Sequence, residues 1–188
     1  MNKTVDYYNS NSKEYIETTS STDMSESYKS FLKYLKVGDK ILDLGFGSGR
    51  DSLYFKNNYD VVSIDPVPSF IDNGLKLGLD ARLMSAEELD FVDEFNGIWA
   101  CASLLHVDES KLALCFRNCY KALKEDGVMY CSLKYGDFKG YIDDRYFVYY
   151  TEETIKKYLG DFKILELNIS GDKLANRDIR WMNLILGK

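Results

Sequence analysis

Three alternating glycines, Gly45, Gly47 and Gly49, form the part of the chain whose spacing has the clearest chemical meaning. They follow an apolar run over residues 40–44 and precede a short helical pattern. Asp65 comes 20 residues after the first glycine, at the end of the next apolar run. A strand–loop–helix–strand unit of this length brings the carboxylate beside the glycine loop. Exposed loop backbone, together with an acid that can accept from two ribose hydroxyls, predicts a nucleoside-cofactor site.

The spacing within the loop indicates which nucleoside it favours. A dinucleotide loop has the pattern G-x-G-x-x-G, but here the third glycine comes one residue early and Arg50 stands in its place. Asp43 lies two residues before the first glycine, where a carboxylate suits a ligand with an ammonium better than one with two phosphates. The arrangement resembles motif I of the class I S-adenosylmethionine-dependent methyltransferases. A tight turn without a ligand is the alternative, and the independent placement of Asp65 argues against it.

Three further segments, 44–52, 99–107 and 180–183, are similar to small stand-alone methyltransferases related to tellurite resistance. In such enzymes the adenine base lies near the loop after the third strand, and the end of the fourth strand faces the transferable methyl. An aromatic ring beside the sulfonium is favourable, and Tyr15 is the best candidate for it. The cofactor-binding residues that we predict on this basis are Asp43, Gly45, Gly47, Gly49, Asp65, Ser85, Ala86, Ala102 and Tyr15.

The candidates for chemistry on the acceptor are a histidine and three cations. His106 is the sole histidine, and an ordinary pKa near 6.5 suits a general base. Methyl transfer needs a base only when the acceptor is protonated, so a packed histidine without a catalytic role is the alternative. Lys134, Arg145 and Arg180 fall at or near the ends of predicted strands, where together they could bind an anionic acceptor. Separately, each could equally be a solvated surface charge.

The elements that must position these residues alternate between strands and helices. Alternation of this kind predicts an α/β fold with a mostly parallel sheet and helices on both faces. The last two strands lack a helical crossover and are expected to pair antiparallel. The resemblance implies a Rossmann-like, seven-stranded sheet with an antiparallel last strand. Apolar runs predict strands at 40–44, 61–64, 81–84, 97–102, 128–133, 162–168 and 181–186.

The N-terminal segment shows two amphipathic patterns, near residues 5–17 and 23–35, which predict helices. In the related enzymes such helices often fold over the cofactor as a lid. A helix is also predicted over about 151–159. With no linker-like segment, we predict one domain over 1–188, in which 1–35 form the helical lid and 36–188 form the core.

Composition excludes several classes of function. The 188 residues carry a net charge of −6, which disfavours bulk binding to nucleic acid. The chain has no apolar run of about 18 residues and no signal-peptide core, so we expect no membrane segment and a cytoplasmic protein. Four cysteines without a C-x-x-C pair and one histidine predict no metal site.

Taken together, the sequence predicts an S-adenosylmethionine-dependent methyltransferase that acts on a small molecule by in-line displacement. The small acceptor is preferred because little chain beyond the core is available to grip a polymer. A tRNA- or protein-directed methyltransferase is the nearest alternative, and a NAD-dependent oxidoreductase or a non-catalytic cofactor-binding partner is more remote. The acceptor and the oligomeric state stay open.

Overall fold

The computed structural model describes residues 2–172 and 178–188. Its centre is a seven-stranded sheet in the order β3-β2-β1-β4-β5-β9-β8. The first five strands are parallel, β9 runs antiparallel to both of its neighbours, and the predicted fold class is confirmed. The strands are β1 (Lys40–Leu44), β2 (Asp60–Asp65), β3 (Asp80–Leu83), β4 (Phe95–Cys101), β5 (Leu123–Lys134), β8 (Lys163–Gly171) and β9 (Arg180–Gly187).

Helices flank this sheet and connect its parallel strands. The sequence predicts a loop over residues 170–180 between the last two strands, and residues 173–177, in its middle, lie outside the described residues. The helices are α1 (Lys3–Ser10), α2 (Ser12–Thr19), α3 (Ser25–Leu32), α4 (Arg50–Phe55), α5 (Pro68–Lys76), α6 (Glu109–Ala122) and α7 (Glu152–Ile155). None of the helices in the described ranges is long and apolar enough to span a membrane.

The central strands are buried on both faces, which explains why they read as nearly continuous apolar runs. One face of β1 and β4 packs Leu42 and Ile98 against α6, and the opposite face packs Ile41 and Trp99 against α3 and α4. On the second face, Trp99 stacks on Tyr130 of β5 with ring centroids 4.0 Å apart. The parallel register of β1 and β2 places their carboxyl ends side by side, and the glycine loop and Asp65 emerge there.

The N-terminal segment differs from the prediction of one helix over 5–17. It forms two helices that break at Asn11, whose side-chain amide donates to the Tyr7 carbonyl at 2.8 Å. An asparagine can satisfy the last carbonyls of a helix in this way, so it ends the helix where periodicity alone would continue it. The predicted helix over 151–159 is likewise shorter, at four residues.

A two-stranded ribbon, β6 (Lys139–Ile142) and β7 (Arg145–Val148), has no counterpart in the sequence prediction. Asp143 and Asp144 form its turn with positive φ values of 48° and 60°, a conformation that Asp tolerates better than most residues. The ribbon contacts α1 directly, because the Tyr146 amide donates to Thr4 Oγ1 at 2.9 Å. The ribbon and the N-terminal helices therefore meet on the same side of the molecule.

Candidate active site

A cavity of about 520 Å³ lies at the carboxyl ends of β1, β2 and β4, where ligands bind in open α/β sheets. Helix α1 contributes part of the opposite wall through Thr4, Val5 and Tyr8. The structure thus brings together most of the residues predicted to bind the cofactor. Those that line this cavity are Gly45, Gly47, Asp65, Ser85, Ala86, Ala102 and Tyr15.

The buried carboxylate of Asp65 lines the cavity and is held in place by two backbone hydrogen bonds. The carboxylate accepts from the Gly47 amide at 3.0 Å and from the Val67 amide at 2.9 Å, which fixes its orientation. Burial raises the pKa of Asp65 to about 7, and the two backbone bonds lower it. A buried carboxylate has more lone pairs than these two donors use, so it can also accept from neighbouring hydroxyl groups.

The glycine loop is tight enough to require glycine at two positions. Gly45 and Gly47 have φ values of 77° and 50°, which side chains rarely adopt. A Cβ atom on Gly45 would lie 2.4 Å from Cβ of Ser103, and one on Gly47 would lie 3.0 Å from Cε1 of Tyr15. The bare backbone leaves a cradle between β1 and Tyr15, and the residues present fit a nucleoside cofactor with an amino-acid tail.

Two predicted cofactor residues are placed differently. Asp43 does not line the cavity: it is buried beneath the loop and accepts from Ser52 Oγ at 2.6 Å. Burial, with the nearby Asp51, raises its pKa, so its contribution is to brace the loop against α4. Gly49 also lies outside the lining, and with a φ of 84° it begins α4. The contribution of Asp43 to cofactor binding stays a prediction.

A second cavity of about 190 Å³ adjoins the first, and the two share Tyr8, Tyr15, Ala102 and His106 as lining residues. Lys134 and Arg145 line its wall, as predicted for an acceptor site. Arg180 lines neither cavity: it is exposed at the start of β9, with its guanidinium 4.4 Å from the ring centre of Tyr135. The structure therefore does not bring Arg180 together with Lys134 and Arg145, and its predicted place in the acceptor site stays a prediction.

Aromatic rings hold the two cations of the second cavity. Lys134 Nζ lies 3.8 Å from the ring centre of Phe147, and the Arg145 guanidinium lies 4.7 Å from that of Tyr7. Nε of Arg145 is buried without a hydrogen-bond partner among the described residues. Arg145 also pairs with the exposed Asp143 at 3.3 Å. Lys134 Nζ donates to the Tyr149 hydroxyl at 3.3 Å, so both cations have polar as well as aromatic partners in this wall.

His106 stands at the junction of the two cavities. Its Nδ1 lies 2.7 Å from the Tyr146 carbonyl, which can only accept, so Nδ1 carries the proton. Nε2 is then unprotonated and accepts from the Tyr8 hydroxyl at 3.0 Å. Burial, together with the charges of Lys134 and Arg145, lowers the pKa of His106 to about 4, and the hydrogen bond with the Tyr146 carbonyl opposes that shift. The imidazole is therefore neutral at pH 7, in contrast to the ordinary pKa assumed from sequence.

Tyr8, one of several tyrosines that the sequence places near the predicted lid, lies between the two cavities, although Tyr15 was preferred as the site residue. Burial raises the pKa of the Tyr8 hydroxyl, and Arg145 opposes that shift. Tyr8 precedes Tyr15 by seven residues, which places both on one face of a helical pattern. That spacing is the signal that could have drawn attention to it.

Comparisons with known proteins agree with this geometry. Residues 41–127 match the family model described as "Methyltransferase domain". Phosphoethanolamine N-methyltransferase 1 of Triticum aestivum is 30% identical over 159 residues, which are 75% of this chain and 32% of that protein. Phosphoethanolamine N-methyltransferase 3 of Arabidopsis thaliana is 31% identical over 118 residues, 57% of this chain and 24% of that protein. The chain thus spans less than a third of the length of these curated relatives.

The fold has a similar solved structure of comparable size. This is the Burkholderia thailandensis 1,6-didemethyltoxoflavin-N1-methyltransferase with bound 1,6-didemethyltoxoflavin and S-adenosylhomocysteine. The TM-score is 0.78 at 18% identity, over 98% of this chain and 86% of that chain. Residues 41–127 therefore resemble a methyltransferase domain, and the fold of the chain is similar to that of this N-methyltransferase. The relation of the chain to tellurite-resistance proteins stays a prediction.

Proposed function

We propose that the protein transfers the methyl group of S-adenosylmethionine to a nitrogen atom of a small acceptor that carries an anionic group. The observation that supports this is the pair of adjoining cavities, one with Asp65 and the glycine loop, the other with Lys134 and Arg145. The N-methyltransferase relatives, two of which are named for phosphoethanolamine, agree with an amine that also carries a phosphate. Such an acceptor places its anion on the cations and its amine near His106.

The residues of the first cavity would bind and orient the cofactor. Asp65 would accept from the ribose hydroxyls, Ser85 and Ala86 would lie beside the base, and Tyr15 would lie near the sulfonium. When bound, S-adenosylmethionine supplies an activated methyl group on a sulfonium. The chain contributes alignment: the attacking nitrogen, the methyl carbon and the sulfur must lie in line, and the walls of both cavities fix that geometry.

The proton on the acceptor nitrogen has a path through Tyr8. The Tyr8 hydroxyl oxygen would accept the proton that the acceptor nitrogen gives up on methylation. The Tyr8 proton moves in turn to Nε2 of His106, whose lone pair points at it. The Tyr146 carbonyl orients the ring and stabilises the imidazolium that forms. His106 thus acts as a general base through Tyr8, and the products are S-adenosylhomocysteine and the methylated acceptor.

A polymer acceptor is less well supported, because the cations do not form a surface patch. Lys134 is buried inside the cavity, and Lys139, on β6, pairs with Glu109 at 2.6 Å. Arg180 is engaged with Tyr135. A non-catalytic cofactor-binding protein would have the space beyond the sulfonium filled, whereas here a second cavity adjoins the first. The NAD-dependent alternative gains no support from the comparisons.

Methyl transfer to phosphoethanolamine, followed as S-adenosylhomocysteine formation, tests the proposal. Tyr8→Phe should lower kcat by about 100-fold, the scale of a lost acid–base contribution, and leave S-adenosylhomocysteine affinity unchanged. Arg145→Met should instead raise KM for the acceptor, because it removes charge and keeps the apolar stem. Tyr120→Phe, on the distant helix α6, is the matched control.

Two outcomes would contradict the proposal. Undiminished turnover in Tyr8→Phe would remove the proton path through His106. No transfer to phosphoethanolamine, with S-adenosylhomocysteine still bound, would exclude the acceptor class while leaving the cofactor site intact.

A further inference from the structure

A third cavity, of about 90 Å³, opens beside the acceptor cavity. The two share Ser27, Tyr130, Ser170 and Asn183 as lining residues, so they are neighbouring parts of one groove. Helix α3 forms one side of the groove through Ser27 and Ser30, and the sheet face of β5, β9 and β8 forms the other. A ligand in the acceptor cavity can therefore extend into this smaller space.

The strand register places this space next to the predicted anion site. Asn183 of β9 pairs with Ser132 of β5 on one side and with Asn168 of β8 on the other. Lys134 is two residues beyond Ser132, so the two side chains share one face of β5. Asn183 lies on the adjacent strand β9, opposite Ser132. A group attached to an anion bound at Lys134 would therefore lie close to Asn183.

The polarity of this groove is unusual for its position. Strand β9 lies inside the sheet, and its opposite face carries the fully buried Met182 and Leu184. On the groove side, Asn183 Oδ1 accepts from the Tyr130 hydroxyl at 2.8 Å. Asn183 Nδ2 donates to Ser170 Oγ at 3.0 Å and to Asn168 Oδ1 at 3.1 Å. A chain of amide and hydroxyl groups therefore replaces the apolar packing expected of an interior strand.

The charged groups that line the groove are two acids, Glu26 and Glu166. Glu166, which lines it, pairs with Lys33 at 2.6 Å and accepts from the Tyr34 hydroxyl at 2.6 Å. No lysine or arginine lines this cavity in the parts of the chain that the structure describes. The groove consequently suits a neutral group that both donates and accepts hydrogen bonds, and it disfavours a second anion.

We propose that this cavity is an extension subsite, which binds a neutral hydroxyl-bearing group attached to the anionic group of the acceptor. The proposal rests on the proposed function, because it needs the anion at Lys134 and Arg145. It implies that the preferred acceptor is larger than a simple amino phosphate. A phosphodiester with a polyol on its far side has the required order of groups: amine, anion and hydroxyls.

The test compares two charge-matched probes, the methyl diester and the glycerol diester of phosphoethanolamine. Each is titrated calorimetrically into the protein saturated with S-adenosylhomocysteine. The glycerol diester should bind about tenfold more tightly, as one or two added neutral hydrogen bonds would give. Asn183→Leu should reduce that ratio to near one. Asn168→Ala, at an exposed position, is a second variant with less effect on folding and should reduce the ratio in part.

Asn57→Ala, at an exposed position after α4, is the control that should keep the full ratio. Equal affinities of the two probes, or no binding of the glycerol diester once S-adenosylhomocysteine is bound, would overturn the subsite and leave the cofactor site standing. A ratio that survives both asparagine replacements would overturn it too. Failure to bind S-adenosylhomocysteine would instead overturn the proposed function, and the subsite with it.

Discussion

Asp65 meets two requirements that oppose each other at the level of a single residue. It faces the cavity from a buried position, and in its proposed role it must be ionised to accept strongly from ribose hydroxyls. Burial favours the neutral acid and raises the pKa to about 7, while the Gly47 and Val67 amides favour the carboxylate. The protein therefore keeps this carboxyl close to half ionised at neutral pH.

We expect Asp65→Asn to weaken S-adenosylhomocysteine binding at pH 8 by about 1.5–3 kcal/mol, the scale of a hydrogen bond to a charged group. In the unaltered protein, affinity should rise as pH rises from 6 to 8, because the carboxylate is the binding form. The asparagine variant should lose that dependence. Calorimetric titration at several pH values measures both effects, with Asp72→Asn, on the exposed side of α5, as the control.

The raised pKa of Asp65 also affects the stability of the folded protein, which should fall as pH rises. The folded pKa lies above the ordinary 3.8, so the folded state holds the proton more tightly than the unfolded state does. Asp65 therefore lowers the stability of the cofactor-free protein progressively as pH rises from about 4 to 7. Asp65→Asn should melt at a higher temperature than the unaltered protein at pH 8 and at a similar one at pH 4. An equal or lower melting temperature at pH 8 would contradict the shift.

At the scale of elements, α1 and the β6–β7 ribbon share the task of closing the site. Tyr146, on the ribbon, links α1 to His106. Its amide donates to Thr4 on α1, and its carbonyl accepts from His106. Tyr8, on the same helix as Thr4, also contacts His106, because its hydroxyl donates to Nε2. In the proposed mechanism, α1 therefore positions His106 through Tyr8.

Thr4→Val removes the hydroxyl that accepts from the Tyr146 amide and preserves side-chain shape. The buried amide then loses its partner, at a cost of about 1–3 kcal/mol, which should loosen α1 from the ribbon. Faster hydrogen exchange of the α1 amides and a higher KM for the acceptor are expected. Thr18→Val, on the exposed side of α2, should change neither. Unchanged exchange in α1 would show that other contacts hold the helix.

At the scale of the whole molecule, α3 anchors the N-terminal segment to the sheet. Phe31 is fully buried among Phe55 and Trp99, with ring centroids 5.9 and 5.3 Å away. The absence of a side chain at Gly97 makes room for it, since a Cβ there would lie 2.7 Å from the Phe31 ring. This packing joins the lid segment and the core on one face of the sheet.

We expect Phe31→Ala to lower the free energy of unfolding by about 3–5 kcal/mol, because it leaves a cavity beneath α3. Urea denaturation followed by tryptophan fluorescence measures the loss, since Trp99 borders the cavity. Val37→Ala, at a position 77% exposed, should change stability by less than about 0.5 kcal/mol. A loss below about 1 kcal/mol in Phe31→Ala would show that the site collapses around the smaller residue.

Local patterns determined the sheet and the cofactor half of the site. Strand β1 was predicted at its observed bounds, because buried parallel strands read as unbroken apolar runs. Gly45, Gly47 and Asp65 were found because their roles depend on spacing along one strand–loop–helix–strand unit. The helix break at Asn11 was not predicted, because it depends on a side-chain amide that bonds to the backbone. The ribbon after β5 was not predicted either, because it depends on the turn at Asp143 and Asp144.

Only the tertiary structure decided what surrounds the acceptor. It placed Asp43 and Arg180 outside the lining of the cavities, placed Tyr8 against His106 across 98 positions of sequence, and lowered the pKa of that histidine by burial. Sequence spacing cannot report such relations, because they join elements that are distant along the chain and depend on which face each side chain takes. The class of cofactor follows from contacts within one short unit, whereas the acceptor site is assembled from α1, β4, β5, the ribbon and β9.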